Sequence, residues 1–501
     1  MSRRVTSTIV VLVFAAALLA TATANELRIG VGALPASPDP NFDPSLFARP
    51  YYETVFDTLV IASDGGMAPS LVESWETLND TTWRFRVRQG VVFHNGEPFD
   101  AAALKWNFEH VLDPASQSRH LFRIQLVESV EIVDSHTVDI VTSQPFGSFL
   151  ANLTYIFMLP PAHFSEVGQV EFNRAPVGTG PFRVTEWRQD EAVFLEAFAG
   201  HWRGAPRLEN ISFHLMPEAS SRIAALEAGQ VDLIFALPPE QGARLEGRGF
   251  QVVSNPIGHS FIITLKNNLG TPFDDVRVRL AANHAVNQDL IIDELLGGYA
   301  NKLEGQMVGP GSVGYNPELS AYGYDPEAAV RLLNEAGYPN GFSVDIECPS
   351  GRYIKDREVC EAVAAQLNRV GIRANLQILE SGVWLERWLG NSFGPMFNVA
   401  IQYAPPMDLE FASPQFTGRG SNDTFVDPDG IMAELFTQQQ NTLDQAERAR
   451  LLQELAQRVH DQVVYLFLFQ VPNIVAASPE VQGLAFRPDY TFANVLEVSF
   501  R

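Results

Sequence analysis

Between residues 443 and 463, Leu451, Leu452, Leu455 and Val459 share one helical face, and the chain then runs into the apolar stretch 464–469. An amphipathic helix feeding a buried strand needs a sheet to pack on, which points to layered α/β architecture. The same alternation recurs upstream. A helix expected over 357–370 carries Val359, Val363, Leu367 and Val370 on one face, stops at Gly371 and precedes a strand around Leu376 and Ile378. Helices over 326–336 and 220–229 behave alike, the second leading into an apolar strand at 231–235. In the first half, 27–31 reads as a buried strand entering a proline-rich loop. Strands are also expected around 131–141 and 180–198. Within 81–91, Trp83, Phe85 and Val87 alternate with Arg84, Arg86 and Arg88 in a half-buried strand. Asp100 is placed to cap a helix ending near Leu112, and 271–273 reads as a boundary to a region of longer helices.

The 501 residues are 46% hydrophobic, enough for about three domains or two large lobes and too apolar for a disordered chain. A formal net charge of −24 repels phosphate backbones, which excludes nucleic acid as a partner. Arg3 and Arg4 precede an apolar run from Ile9 to Ala20, and Ala22-Thr23-Ala24 supplies a small-residue cleavage pattern. This reads as a signal peptide cut after Ala24, too short for a membrane anchor and with no cysteine at the cut to take a lipid. The two cysteines, Cys348 and Cys360, are either joined in an oxidising compartment or buried as free thiols; their spacing does not suit zinc.

No catalytic constellation emerges. The stretch 309–314 matches G-x-G-x-x-G but lacks a preceding strand and a following helix, so a proline-glycine turn is the better reading. There is no nucleophile elbow and no H-E-x-x-H, so neither catalytic residues, metal ligands nor a cofactor are expected.

Several segments carry a family resemblance. Residues 69–76 (PSLVESWE) continue into 82–96 (TWRFRVRQGVVFHNG), followed by 177–182 (VGTGPF) and 276–287 (VRVRLAANHAVN). In this order they resemble the bacterial peptide/nickel/opine-binding family 5 receptors that serve ABC importers. Asn95 stands where an Asp is usual, and Asn287-Gln288 replaces a common Asp-Arg/Lys. The resemblance spans about 27–500. It implies a two-lobed periplasmic-binding-protein fold of type II, with the ligand between the lobes and an extra domain inserted in lobe I. By analogy lobe I comprises 25–54, 178–270 and 479–501, the inserted domain 55–177, and lobe II 271–478. His94 is read as a turn or core histidine rather than a ligand.

The resemblance also implies a site. Ala33, Leu34 and Pro35 after the first strand, and the segment through Tyr403 and Ala404, offer backbone groups to an extended peptide. Trp384, Trp388, Tyr403 and Phe411 are candidate aromatic walls, with Tyr51 and Tyr52 ranked lower. Peptide-binding relatives hold the ligand's ammonium on an Asp where this chain has Ala404, leaving Asp408 as a possible substitute. Arg352, with Arg357 competing, suits a ligand carboxylate.

The expected protein is a monomeric periplasmic receptor, not an enzyme, that captures a short peptide or peptide-like solute and delivers it to a permease with its ATPase subunits. A non-peptide solute (opine, oligosaccharide or metal chelate) is the alternative. A secreted hydrolase, which would turn its ligand over, and an exported holder of unfolded chains are remoter.

Overall fold

The computed structural model describes residues 25–63, 66–403, 407–417, 424–487, 491–492 and 494–501; the leader at 1–24 and Ala404 lie outside them. The chain enters through β1 (Glu26–Val31), whose Leu27 and Ile29 are fully buried, and passes through the Pro-rich loop to α1 (Arg49–Val55). It then builds a separate four-stranded antiparallel sheet from β2 (Val72–Asn79), β3 (Thr82–Val87), β4 (Val127–Asp134) and β5 (Thr137–Thr142), in the order β2-β3-β5-β4. Trp83, Phe85 and Val87 point into that sheet's core, as their alternation requires, and Arg84 on the other face pairs with Asp139. Helix α2 (Ala101–Leu112) covers the sheet, and the Asp100 carboxylate accepts from the N–H groups of Ala102 and Ala103.

The chain leaves this body beside the point where it entered. Gly180 N–H donates to Val55 O, and a Cβ at Gly178 would overlap the same carbonyl oxygen. His94 closes the junction. Its Nδ1 accepts from Gly178 N–H (3.2 Å) and its Nε2 donates to Gly180 O (2.9 Å), which fixes the neutral imidazole. Burial lowers the His94 pKa to about 4. The H-N-G turn and the V-G-T-G-P-F segment, far apart in sequence, are thus two sides of one joint.

Next come β6 (Phe182–Arg188), β7 (Ala192–Ala197), β8 (Asn210–Leu215), α3 (Ala219–Glu227), the two-residue β9 (Leu233–Ile234) and α4 (Pro239–Glu246). The second half contains β10 (Gln251–Leu265), α5 (Val276–Ala285), α6 (Pro326–Glu335), β11 (Phe342–Ser350), α7 (Asp356–Arg369), β12 (Ile372–Glu380), α8 (Ser381–Leu389), β13 (Met396–Gln402), α9 (Ile431–Gln440), α10 (Gln445–Asp461) and β14 (Tyr465–Ala477). A disulfide joins Cys348 on β11 to Cys360 on α7, both fully buried, which resolves the alternative left open by the sequence.

One sheet spans the molecule in the order β12-β11-β13-β10-β14-β9-β1-β8-β7-β6. Its two ends carry separate hydrophobic cores, one around Leu27, Ile29 and Phe213, the other around Ile263, Ile346 and Leu466. Strand β14 contributes to both, through Leu466 and Leu468 at one end and Val475 and Ala477 at the other, and β10 pairs with it antiparallel. Sequence reading found β14 only as 464–469 and missed β10, because proline normally ends a strand. Here Pro256 lies opposite Pro472, so neither offers an N–H to the ladder, and the register shifts between Pro256 and Ser260.

Candidate ligand-binding site

At this strand crossing the two ends of the sheet enclose a cavity of about 750 Å³. The β1 end contributes the loop 32–35, Tyr51 of α1 and the turn 235–239; the other end contributes 352–355. The crossing supplies Ile257, His259 and residues 471–474. Buried Arg222 holds the first wall: its guanidinium donates to the carbonyls of Met216, Pro217, Phe235 and Ala236. Ala236 is thereby kept at φ 53°, a left-handed conformation that an alanine adopts only under such constraint.

The second wall is organised by Asp356, the first residue of α7. Its carboxylate accepts from the N–H groups of Gly351 (3.1 Å), Arg352 (2.8 Å) and Tyr353 (3.0 Å), folding them into a tight turn. Arg352 Nε donates to the Tyr353 hydroxyl, and its guanidinium carbon lies 4.4 Å over the Trp384 ring. Among the described residues no acid pairs with it. The acid of the lining, Glu240 on α4, is already engaged across the cavity mouth by Lys355 at 3.2 Å. The cavity therefore presents one stacked, uncompensated cation.

Three further polar groups end without partners in the lining: both amide atoms of Asn473, Nε2 of His259 and the hydroxyl of Tyr51. Asn473 is 3% exposed. Burial pushes the His259 pKa down to about 4 and the Tyr51 pKa well above its ordinary value.

The structure brings Ala33, Leu34, Pro35 and Arg352 together in this lining. It places the other candidates elsewhere. Trp384 is buried beneath Arg352, stacked on half-buried Trp388 at 5.6 Å, with its Nε1 donating to Asn398 O; it supports the cation rather than walling the cavity. Tyr403 is fully buried, its hydroxyl accepting from Gln470 and its N–H donating to Gly258 O. Asp408 is also fully buried and accepts from both terminal nitrogens of Arg448 (2.6 and 3.2 Å). Burial works against the Arg448 charge, and Asp408 and Glu410 more than offset it, raising its pKa. Phe411 stacks on Tyr155 where the inserted sheet's body meets the far lobe. Arg357 pairs with Glu361 at the surface. Sequence reasoning passed over His259 and Asn473, although a carboxamide between Pro472 and Ile474 stands out in a mostly apolar run.

The family model for bacterial extracellular solute-binding proteins, family 5 (middle), matches residues 66–423. The glutathione-binding protein of Pectobacterium atrosepticum is 28% identical over 489 residues, 94% of this chain and 93% of that one. The corresponding protein of Escherichia coli O1:K1 is 32% identical over 391 residues, 75% and 74% of the two chains. Among solved structures, NikA of Brucella suis in complex with Fe(III)-EDTA superposes with a TM-score of 0.83 at 26% identity, covering 95% of this chain and all of that one.

Proposed function

Because the chain belongs to the family 5 bacterial extracellular solute-binding proteins, we propose that its own ligand is a short peptide or peptide-like solute whose carboxylate sits on Arg352. The protein is a transport receptor of the ABC-importer class, and the relatives it matches are binding proteins. The observation that carries the ligand reading is the Arg352 guanidinium, lying over the Trp384 ring and lining the cavity with no acid partner among the described residues. A carboxylate there gains a charge-assisted bond. A cavity of about 750 Å³ suits one small ligand rather than a long chain.

The ammonium end is treated differently. Asp408 serves Arg448 and Glu240 serves Lys355, so no free carboxylate waits for an amine in the described lining. Blocking a peptide's amine should therefore matter less than blocking its carboxylate. In the same proposal the leader is removed after Ala24, the mature protein acts as a monomer with its permease, and the lobes are 25–54, 178–270 and 479–501 against 271–478, with 55–177 inserted in the first.

The test is a melting screen of the mature protein against glutathione, tri-alanine, its N-acetyl and C-amide forms, an opine and Fe(III)-EDTA. A ligand at about 100 times its Kd adds roughly 2.7 kcal/mol to stability, a readily visible shift. Shifts with free and N-acetylated peptide but not with the C-amide support the reading; shifts with the non-peptides alone overturn it.

A further inference from the structure

The strand β14 carries two buried carboxamides at the crossing: Gln470, which donates to the Tyr403 hydroxyl, and Asn473, immediately after Pro472. Its carboxamide lines the cavity, is shielded from solvent, and has neither its nitrogen nor its oxygen paired. Leaving such a group unmatched is destabilising, and a valine or leucine at this position would avoid the cost. The group carries both donors and an acceptor, the complement of an amide. His259 shares the crossing: it lies in the irregular stretch where β10 slips register, and its Nε2 also lacks a partner.

Resting on the ligand reading above, we infer that Asn473 is a specificity-determining residue. Its carboxamide, with the His259 imidazole beside it, pairs with a backbone amide of the solute whose carboxylate sits on Arg352. Arg352 responds to charge alone and accepts any carboxylate of suitable size. The crossing supplies the second criterion by distinguishing amide-linked solutes from others of like charge. Because Asn473 follows the facing prolines directly, this contact is made on the segment connecting the two lobes.

The experiment is a cycle between protein and ligand, read by calorimetric titration of the mature protein. The ligands are tri-alanine and glutathione, each with depsipeptide counterparts in which one amide N–H becomes an ester oxygen. The proteins are wild type, Asn473→Ala and the similarly sized Asn473→Leu, which guards against collapse of the smaller variant. Wild type is expected to prefer the amide over at least one ester by about tenfold. Both variants should bind the amide about tenfold more weakly and lose that preference. A preference that persists in the variants, or one absent from wild type that still binds peptide, overturns this inference alone. Failure of wild type to bind either peptide overturns the ligand reading and this inference with it.

Discussion

The chain crosses twice between neighbouring bodies at two places, and the two crossings are built in opposite ways. Between the first lobe and the inserted body, the segments around Val55 and Gly178 lie so close that only glycine fits, and His94 bonds the joint with both ring nitrogens. Asp57 adds to it by accepting from Thr179 Oγ1 (3.0 Å) and Trp202 Nε1 (3.1 Å). Between the two lobes, β10 and β14 meet at Pro256 and Pro472, where neither residue has an N–H to give and the register slips. The first crossing is closed by side-chain bonds; the second has an interrupted ladder, the kind of segment about which hinge closure takes place, with the cavity beside it.

The strongest way to break this contrast is to put a methyl group in the rigid joint. Gly178→Ala would drive a Cβ into the Val55 carbonyl and against the fully buried Phe56 ring, where the backbone oxygen cannot swing aside as a flexible side chain would. A loss of about 3 kcal/mol or more is expected in urea denaturation. The next effect is acid sensitivity. With a folded pKa near 4 against about 6.5 unfolded, the His94 contribution is complete above pH 6.5 and is lost as pH falls toward 4. That amounts to about 3 kcal/mol over the window. His120 and His259, also lowered to about 4 by burial, steepen the decline. A His94→Gln protein should show a shallower fall in stability from pH 6.5 to 4.

Removal of the disulfide affects neither crossing directly and so serves as a reference within lobe II. Replacing Cys348 and Cys360 together by alanine should cost about 2–3 kcal/mol, measured by the same denaturation. The smallest effect on stability is expected at the proline crossing. Pro256→Ala with Pro472→Ala should change stability by less than about 1 kcal/mol, while slowing closure in stopped-flow fluorescence through the restored backbone donors.

Local patterns were legible wherever local physics decides. The Trp83–Val87 alternation, the Asp100 cap and the α10 face all stand as read. The 32–35 loop and Arg352 were reachable through the family resemblance. The proline crossing was not, since Pro256, Gly258 and Pro472 signal interruption to any rule based on continuous strands. Asp408 looked available because its partner Arg448 is 40 residues away and is brought to it only by the fold. Trp384 looked like a cavity wall because a buried aromatic that supports a cation and one that lines a pocket have the same sequence signature.

The central claim is that a solute draws the lobes together about the β10–β14 crossing while the inserted body moves with the first lobe. Single-molecule energy transfer between introduced labels tests it, with one pair spanning the two lobes and one spanning the first lobe and the inserted body. With saturating glutathione, the first distance should shorten and the second stay fixed. A lobe-to-lobe distance that does not respond to a bound ligand, or an inserted body that shifts as much as the lobes do, would contradict the account.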